Sequence, residues 1–122
     1  MKCLVADNAA HARELLAFIL GDLGHDVLEA GAMEDVVCLA ILNLPDVIIL
    51  DMGLAKDRGL EIIAAIRREA SLRITPVIAL IAALGEYTPA CLQQVGCSSF
   101  LVKPVRPKAL RSLIAGIVSA RS

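Results

Sequence analysis

The sequence has no tryptophan, one tyrosine and two phenylalanines, so aromatic residues make up 2% of its 122 positions. Single-stranded nucleic acid is bound on aromatic stacking platforms, and a flavin needs an aromatic pair to sandwich it. Neither surface can be built here. Apolar runs are also short, and none approaches the roughly 20 residues that a membrane span requires. Lys2 before Cys3-Leu4-Val5-Ala6 superficially resembles a signal-peptide start, but Asp7 ends the apolar stretch too early. Charge of one sign is lacking as well: 12 basic and 13 acidic residues leave a net charge of −1. No global field therefore recruits DNA or an acidic membrane. The four cysteines, Cys3, Cys38, Cys91 and Cys97, form no C-x-x-C pair and have no histidine at metal spacing. They read as reduced, mostly buried small hydrophobes of a cytosolic protein. There is no Ser/Gly linker, low-complexity tract or internal repeat.

Hydrophobic residues are abundant, at 57% against 20% charged. That composition folds, and the length suits one domain over residues 1–122. Its core must come from Leu, Ile, Val and Ala. The chain is organised around Val47-Ile48-Ile49-Leu50, which ends in Asp51. A strand apolar on both faces belongs in the middle of a covered parallel sheet.

Residues 2–6 form a first strand that exits through Asp7-Asn8, with Asn8 expected to cap the helix that follows. Ala12, Leu15, Leu16, Ile19, Leu20 and Leu23 recur at helical spacing, and Gly24 stands where a left-handed cap belongs. A short strand over 26–30, a helix over 33–42 and the central strand to Asp51 come next. A helix over 59–69 is expected to turn Leu60, Ile63, Ala64 and Ile66 inward. A two-sided apolar strand follows over 76–82, then a helix over 89–95 with Pro89 in its first turn. The last strand spans 99–102, and the final helix spans 107–120 with Leu110, Leu113, Ile114 and Ile117 inward. Strand and helix alternate five times, which predicts an α/β doubly wound, flavodoxin-like sheet of order 2-1-3-4-5. Ligands of such sheets sit outside the carboxyl ends of the strands, at the point where strand order reverses. Asp7 and Asp51 would lie there side by side.

Two adjacent carboxylates repel unless something positive joins them. Mg2+ is the natural candidate, because it prefers a few carboxylates plus water. Lys103, at the end of the fifth strand, reaches the same mouth. Carboxylate pair, hard cation and ammonium together make a site for a phosphoryl group, with one aspartate as nucleophile.

On these residues the whole chain resembles the receiver domain of two-component response regulators. Asp7-Asn8 after Leu4-Val5 is similar to the end of the first receiver strand. Asp51-Met52-Gly53-Leu54 with Gly59 and Glu61 resembles the phosphoacceptor strand and its loop, and Phe100-Leu101-Val102-Lys103-Pro104 the fifth strand. The spacings, 44 residues from Asp7 to Asp51 and 52 from Asp51 to Lys103, agree with that pattern. The resemblance implies that Asp51 is the phosphoacceptor and that Asp7, Asp51 and the Gly53 carbonyl hold Mg2+. It further implies that Lys103 contacts a phosphoryl oxygen and that the bond to Pro104 is cis. Phe100 stands at the family's rotamer-switching aromatic, or is ordinary packing.

Three positions depart from the pattern. Ala6 replaces the first of two adjacent acids, which should weaken the metal site without removing it. Ile81, 30 residues after Asp51, stands where a Thr or Ser hydroxyl would bond the phosphoryl group, and isoleucine donates nothing. The chemistry at Asp51 should survive, while coupling to the surface of the fourth helix, fifth strand and fifth helix should suffer. Ala55 replaces a loop proline. These changes mark an atypical receiver.

The expected output is protein–protein contact, not catalysis by an independent enzyme. A dehalogenase-like hydrolase would need a second aspartate where Gly53 stands. The expected partners are a sensor histidine kinase or phosphotransfer protein, a downstream protein, and a second copy of the chain through the fourth helix, fifth strand and fifth helix. If residues 1–122 are the full protein, no DNA-binding element follows and no direct DNA binding is expected; an excised domain of a hybrid kinase or larger regulator fits the sequence equally. From Lys103 onward the chain carries Lys103, Arg106, Lys108, Arg111 and Arg121 and no acid. This is either a solvated face or a partner- or anion-binding strip, with Arg106, Lys108 and Arg111 as partner contacts. The alternative function is a pseudo-receiver that binds a partner protein, or a small anion such as a cyclic dinucleotide, without phosphorylation. His11 is read as solvated near the site, His25 as structural, and Gly85-Glu86-Tyr87-Thr88 as a mobile loop.

Overall fold

Among the described residues, five strands, each only four or five residues long, alternate with five helices. The computed structural model describes residues 1–54, 58–83 and 87–120. The elements are β1 (Lys2–Ala6), α1 (Ala10–Asp22), β2 (Asp26–Ala30), α2 (Met33–Asn43), β3 (Val47–Asp51) and α3 (Gly59–Arg68). A 3-10 turn at Ala70–Leu72 precedes β4 (Val77–Ile81), α4 (Pro89–Val95), β5 (Ser99–Val102) and α5 (Pro107–Ala120). All neighbouring strands run parallel, in the order β2-β1-β3-β4-β5. The flavodoxin-like expectation is met.

The period-two alternation of strand side chains divides the core into two layers. Leu4, Ile48, Leu50, Val77, Ala79 and Ile81 pack with buried residues of α2, α3 and α4. Cys3, Val5, Val47, Ile49, Ile78 and Leu80 face the other way, against α1 and α5. Every residue of β3 and β4 is buried, as the central position of these strands requires.

The helix ends follow local chemistry. Gly24, with φ +89°, and Gly96, with φ +106°, take the left-handed conformation that closes α1 and α4. Thr88 Oγ1 accepts the Cys91 N–H at 3.0 Å and caps α4, with Pro89 in its first turn. Asn8, by contrast, is not the cap of α1. Ala9 holds that position, and the carboxylate of Asp7 accepts the Ala9 N–H at 2.9 Å. The helix thus begins one residue later than expected, with no side-chain cap, and the Asp7 carboxylate pins the backbone just ahead of it.

Packing also redistributes two apolar faces. Leu15 and Leu23 were expected inward, yet Leu15 is 57% exposed, Leu23 is 40% exposed, and Phe18 stands out at 71%. The buried stripe of α1 is the narrower set Leu16, Ile19 and Leu20. On α3, Ile62 is buried beside Ile63 and Ile66, while Leu60 and Ala64 lie at the margin. In α5, Leu110 and Ile114 are buried, and Leu113 and Ile117 pack half-buried against them.

Candidate functional site

β1 and β3 are adjacent, with Ala6 aligned to Leu50, so the residues that follow them emerge side by side. Asp7 is 1% exposed and Asp51 4% exposed. Burying two carboxylates is costly unless each is bonded. Asp7 Oδ1 accepts the Ala9 N–H, and Asp51 Oδ1 accepts the Gly53 N–H at 3.0 Å. From the end of β5, Lys103 Nζ meets the same Asp51 oxygen at 2.6 Å, a charge-assisted contact of the strong kind. Lys103 is itself placed by its backbone N–H, which donates to Ile81 O at 2.8 Å. The Lys103–Pro104 peptide is cis.

Burial pushes the Asp7 carboxyl above its ordinary value near 3.8, and the neighbouring Asp51 carboxyl adds to the rise. The Ala9 amide and Lys103 work in the other direction. An acid pair whose second member resists ionisation in this way is one that a cation would relieve. The donor set fits a hard divalent ion: two carboxylates, with the carbonyl of Gly53 next to them in sequence. Among the described residues no third acidic, histidine or cysteine side chain joins the pair, and Ala6 is fully buried in its place in the core. The residues therefore suit an ion that retains several waters.

Ile81, 1% exposed, lies in the layer with Leu50, Tyr87 and Leu92 and brings no polar atom to the end of β4. Tyr87 is buried in that same layer, and Thr88 is held by its capping bond. Tyr87 therefore sits against the body of the protein while Thr88 is exposed, and Gly85 and Glu86 of the loop expected to be mobile lie outside the described residues, as do Ala55 and Arg121. Phe100 is half-buried and packs on the layer that contains Ile81.

The basic residues of the C-terminal stretch are dispersed. Lys103 pairs with Asp51, and Arg111 Nη2 lies 4.0 Å from Asp22 of α1. Arg106 and Lys108 are exposed. His11 is exposed on the first turn of α1, and His25 Nδ1 accepts a hydrogen bond from the N-terminal amine at 2.9 Å.

Two features escaped the sequence reading. One is a cavity of 270 Å3 that opens beside Asp7, Asp51 and Lys103. Its walls are Ala12, Leu15, Leu16 and Ile19 of α1 on one side and Pro104 and Val105 on the other. The exposure of Leu15, which helical periodicity alone could not assign, is the sign of it, and Phe18 stands exposed one turn further along α1. The other is Arg13. Its Nη1 donates to the backbone carbonyl of Asp7 at 2.8 Å, and its Nε donates to Glu29 Oε1 at 3.1 Å.

Comparison with known proteins agrees with this geometry. The family model described as "Response regulator receiver domain" matches residues 3–115. The phosphate regulon transcriptional regulatory protein PhoB of Klebsiella pneumoniae is 31% identical over 117 residues, which are 96% of this chain and 51% of that protein. An uncharacterized 14.6 kDa protein of Leptolyngbya boryana is 31% identical over 114 residues, covering 93% of this chain and 87% of its own. Among solved structures, the chemotaxis response regulator CheY4 of Vibrio cholerae superposes with a TM-score of 0.87 at 26% identity, over 95% of this chain and 97% of that one. A response regulator protein from Burkholderia multivorans gives 0.79 at 28% identity, over 96% and 94%. The chain spans about half the length of the first curated relatives it matches.

Proposed function

This chain belongs to the response regulator receiver domain family of two-component signal transduction, and we propose that Asp51 is the residue on which it accepts a phosphoryl group. The observation that carries the proposal is the 2.6 Å contact between Lys103 and a buried Asp51 that lies against Asp7. Receiver domains are signalling modules that work with a histidine kinase or phosphotransfer partner and with a downstream protein.

In this reading an Asp51 carboxylate oxygen attacks phosphorus in a phosphohistidine or a small acyl phosphate. A new O–P bond forms as the donor's N–P or O–P bond breaks, and the donor leaves with the bonding pair. Lys103 exchanges its contact with the carboxylate for one with a phosphoryl oxygen, so its charge stays on the atoms that gain negative charge. Asp7, Asp51 and the Gly53 carbonyl would hold Mg2+, which when bound offsets the combined negative charge of the acids and the incoming phosphoryl group. The apolar groove beside the site suits a helix of a protein donor, which would set its phosphohistidine over Asp51 while burying Leu15 and Phe18.

Ile81 makes the readout weak. A phosphoryl group redistributes conformations only through contacts that differ between states, and a buried isoleucine offers it no hydrogen bond. Downstream contact is assigned to the face of α4, β5 and α5, including Arg106, Lys108 and Arg111, and to the same face in a homodimer. Intact-mass measurement after incubation with a small acyl phosphate tests the acceptor. A Mg2+-dependent gain of one phosphoryl group in wild type, absent in Asp51→Asn, is expected; no gain at any Mg2+ concentration would refute it.

A further inference from the structure

Asp7 carries more of the cation site here than it would beside a second acid, because the preceding residue is Ala6. Its position is therefore of consequence. Three contacts fix it. Its N–H donates to Ala30 O at 3.0 Å, its carboxylate accepts the Ala9 N–H, and its carbonyl accepts from Arg13 Nη1. The third contact differs from the others because a long side chain supplies it. Arg13 lies on the first turn of α1, 21% exposed, and its guanidinium spans from Asp7 to Glu29, near the end of β2. A planar fork held at both ends has little freedom left. On the Gly31 side the space is tight: a Cβ there would stand 2.9 Å from Arg13 Nη1.

We infer that Arg13 is a positioning residue for the cation site, holding the Asp7 backbone so that its carboxylate faces Asp51. The inference rests on the reading of Asp7 and Asp51 as cation ligands. Groups that orient a ligand contribute to metal affinity without touching the metal. Gly31 belongs to the same device, since its missing side chain leaves room for the guanidinium.

Mg2+ affinity of the full chain, measured calorimetrically without a phosphodonor, tests this in wild type, Arg13→Ala, Gly31→Ala and the double variant. Circular dichroism and thermal unfolding serve as the check on folding. Arg13→Ala should weaken binding by about tenfold. Gly31→Ala, which displaces the guanidinium without removing it, should weaken binding by less. In the double variant the methyl on residue 31 meets no guanidinium, so affinity should match Arg13→Ala alone, a non-additivity expected of residues acting through one contact. Arg13→Ala within twofold of wild type, or additive effects of the two changes, overturns the inference while leaving the cation site standing. Absence of binding by wild type overturns the cation site itself, and this inference with it. Should Arg13→Ala fail to fold, Gly31→Ala decides alone: lower affinity with unchanged unfolding supports the role, and unchanged affinity refutes it.

Discussion

The carboxyl edge of the sheet has two unlike halves. At the ends of β1 and β3 the chain keeps two buried aspartates, each bonded to a backbone amide and one of them to Lys103. At the end of β4, on the next strand over, it places Ile81 in an apolar layer. In the proposed reading the first half forms the bond to phosphorus, whereas the isoleucine of the second half has no group with which to hydrogen-bond a phosphoryl oxygen. On that reading, acceptor chemistry and conformational readout fall on different strands, and a sequence can keep one while giving up the other. Ile81 belongs to the core, so the end of β4 is apolar at the place where the proposed signalling would need a polar contact.

That comparison can be broken at its strong half. Lys103→Ala removes the cation paired with Asp51 and should slow phosphorylation from an acyl phosphate by about 100-fold or more, as expected when a group that stabilises developing charge is lost. Stopped-flow or quenched-flow rates with equal Mg2+ would show it. A rate within a factor of a few would mean that the ammonium is bystander packing.

The weak half can be sharpened by restoring a hydroxyl. Ile81→Thr deletes buried apolar volume and places an O–H in the apolar layer, so the unphosphorylated protein should lose about 1–3 kcal/mol in denaturant unfolding. In return, phosphorylation should gain leverage over α4 and β5.

The two halves should also differ in response to pH. Asp7 lies above its ordinary value, chiefly through burial, so the folded state holds the proton more tightly than the unfolded state. The contribution of this residue to stability therefore falls as pH rises from near 3.8 through its raised value. Asp7→Asn should flatten that dependence and raise the thermal midpoint at neutral pH without Mg2+. It should also abolish the rise that Mg2+ gives the wild type. A midpoint for Asp7→Asn below wild type would contradict the electrostatic account of the pair.

The smallest effect on the protein itself belongs to Phe18→Ala. With 71% of the residue exposed, stability should change by no more than about 0.5 kcal/mol. Phosphotransfer from a protein donor should slow, while the small-donor rate stays constant. Equal slowing with both donors would place the defect at Asp51 and not in the groove.

Much of this was legible in the sequence because its signals are local or periodic. Five apolar runs separated by helical patterns fix the order of elements, with Asp7 and Lys103 each following a strand and Asp51 ending one. What was not legible depends on contacts across the fold. Helical spacing put Leu15 inward with Leu16, since it cannot tell the centre of an apolar face from its margin. Asn8 resembled a cap, but the helix starts one residue later with Ala9 in the cap position, its N–H bonded to the Asp7 carboxylate. Arg13 has no motif at all; only the folded chain brings its guanidinium to the Asp7 carbonyl, sixteen residues from its anchor at Glu29.

The most direct test of the division between acceptor and readout is a comparison of backbone amide chemical shifts with and without the phosphoryl group on Asp51, in wild type and in Ile81→Thr. The account predicts that wild-type changes stay around Asp7, Asp51, Gly53 and Lys103, and that α4, β5 and α5 respond only in Ile81→Thr. Changes of equal size across α4, β5 and α5 in the wild type would contradict it.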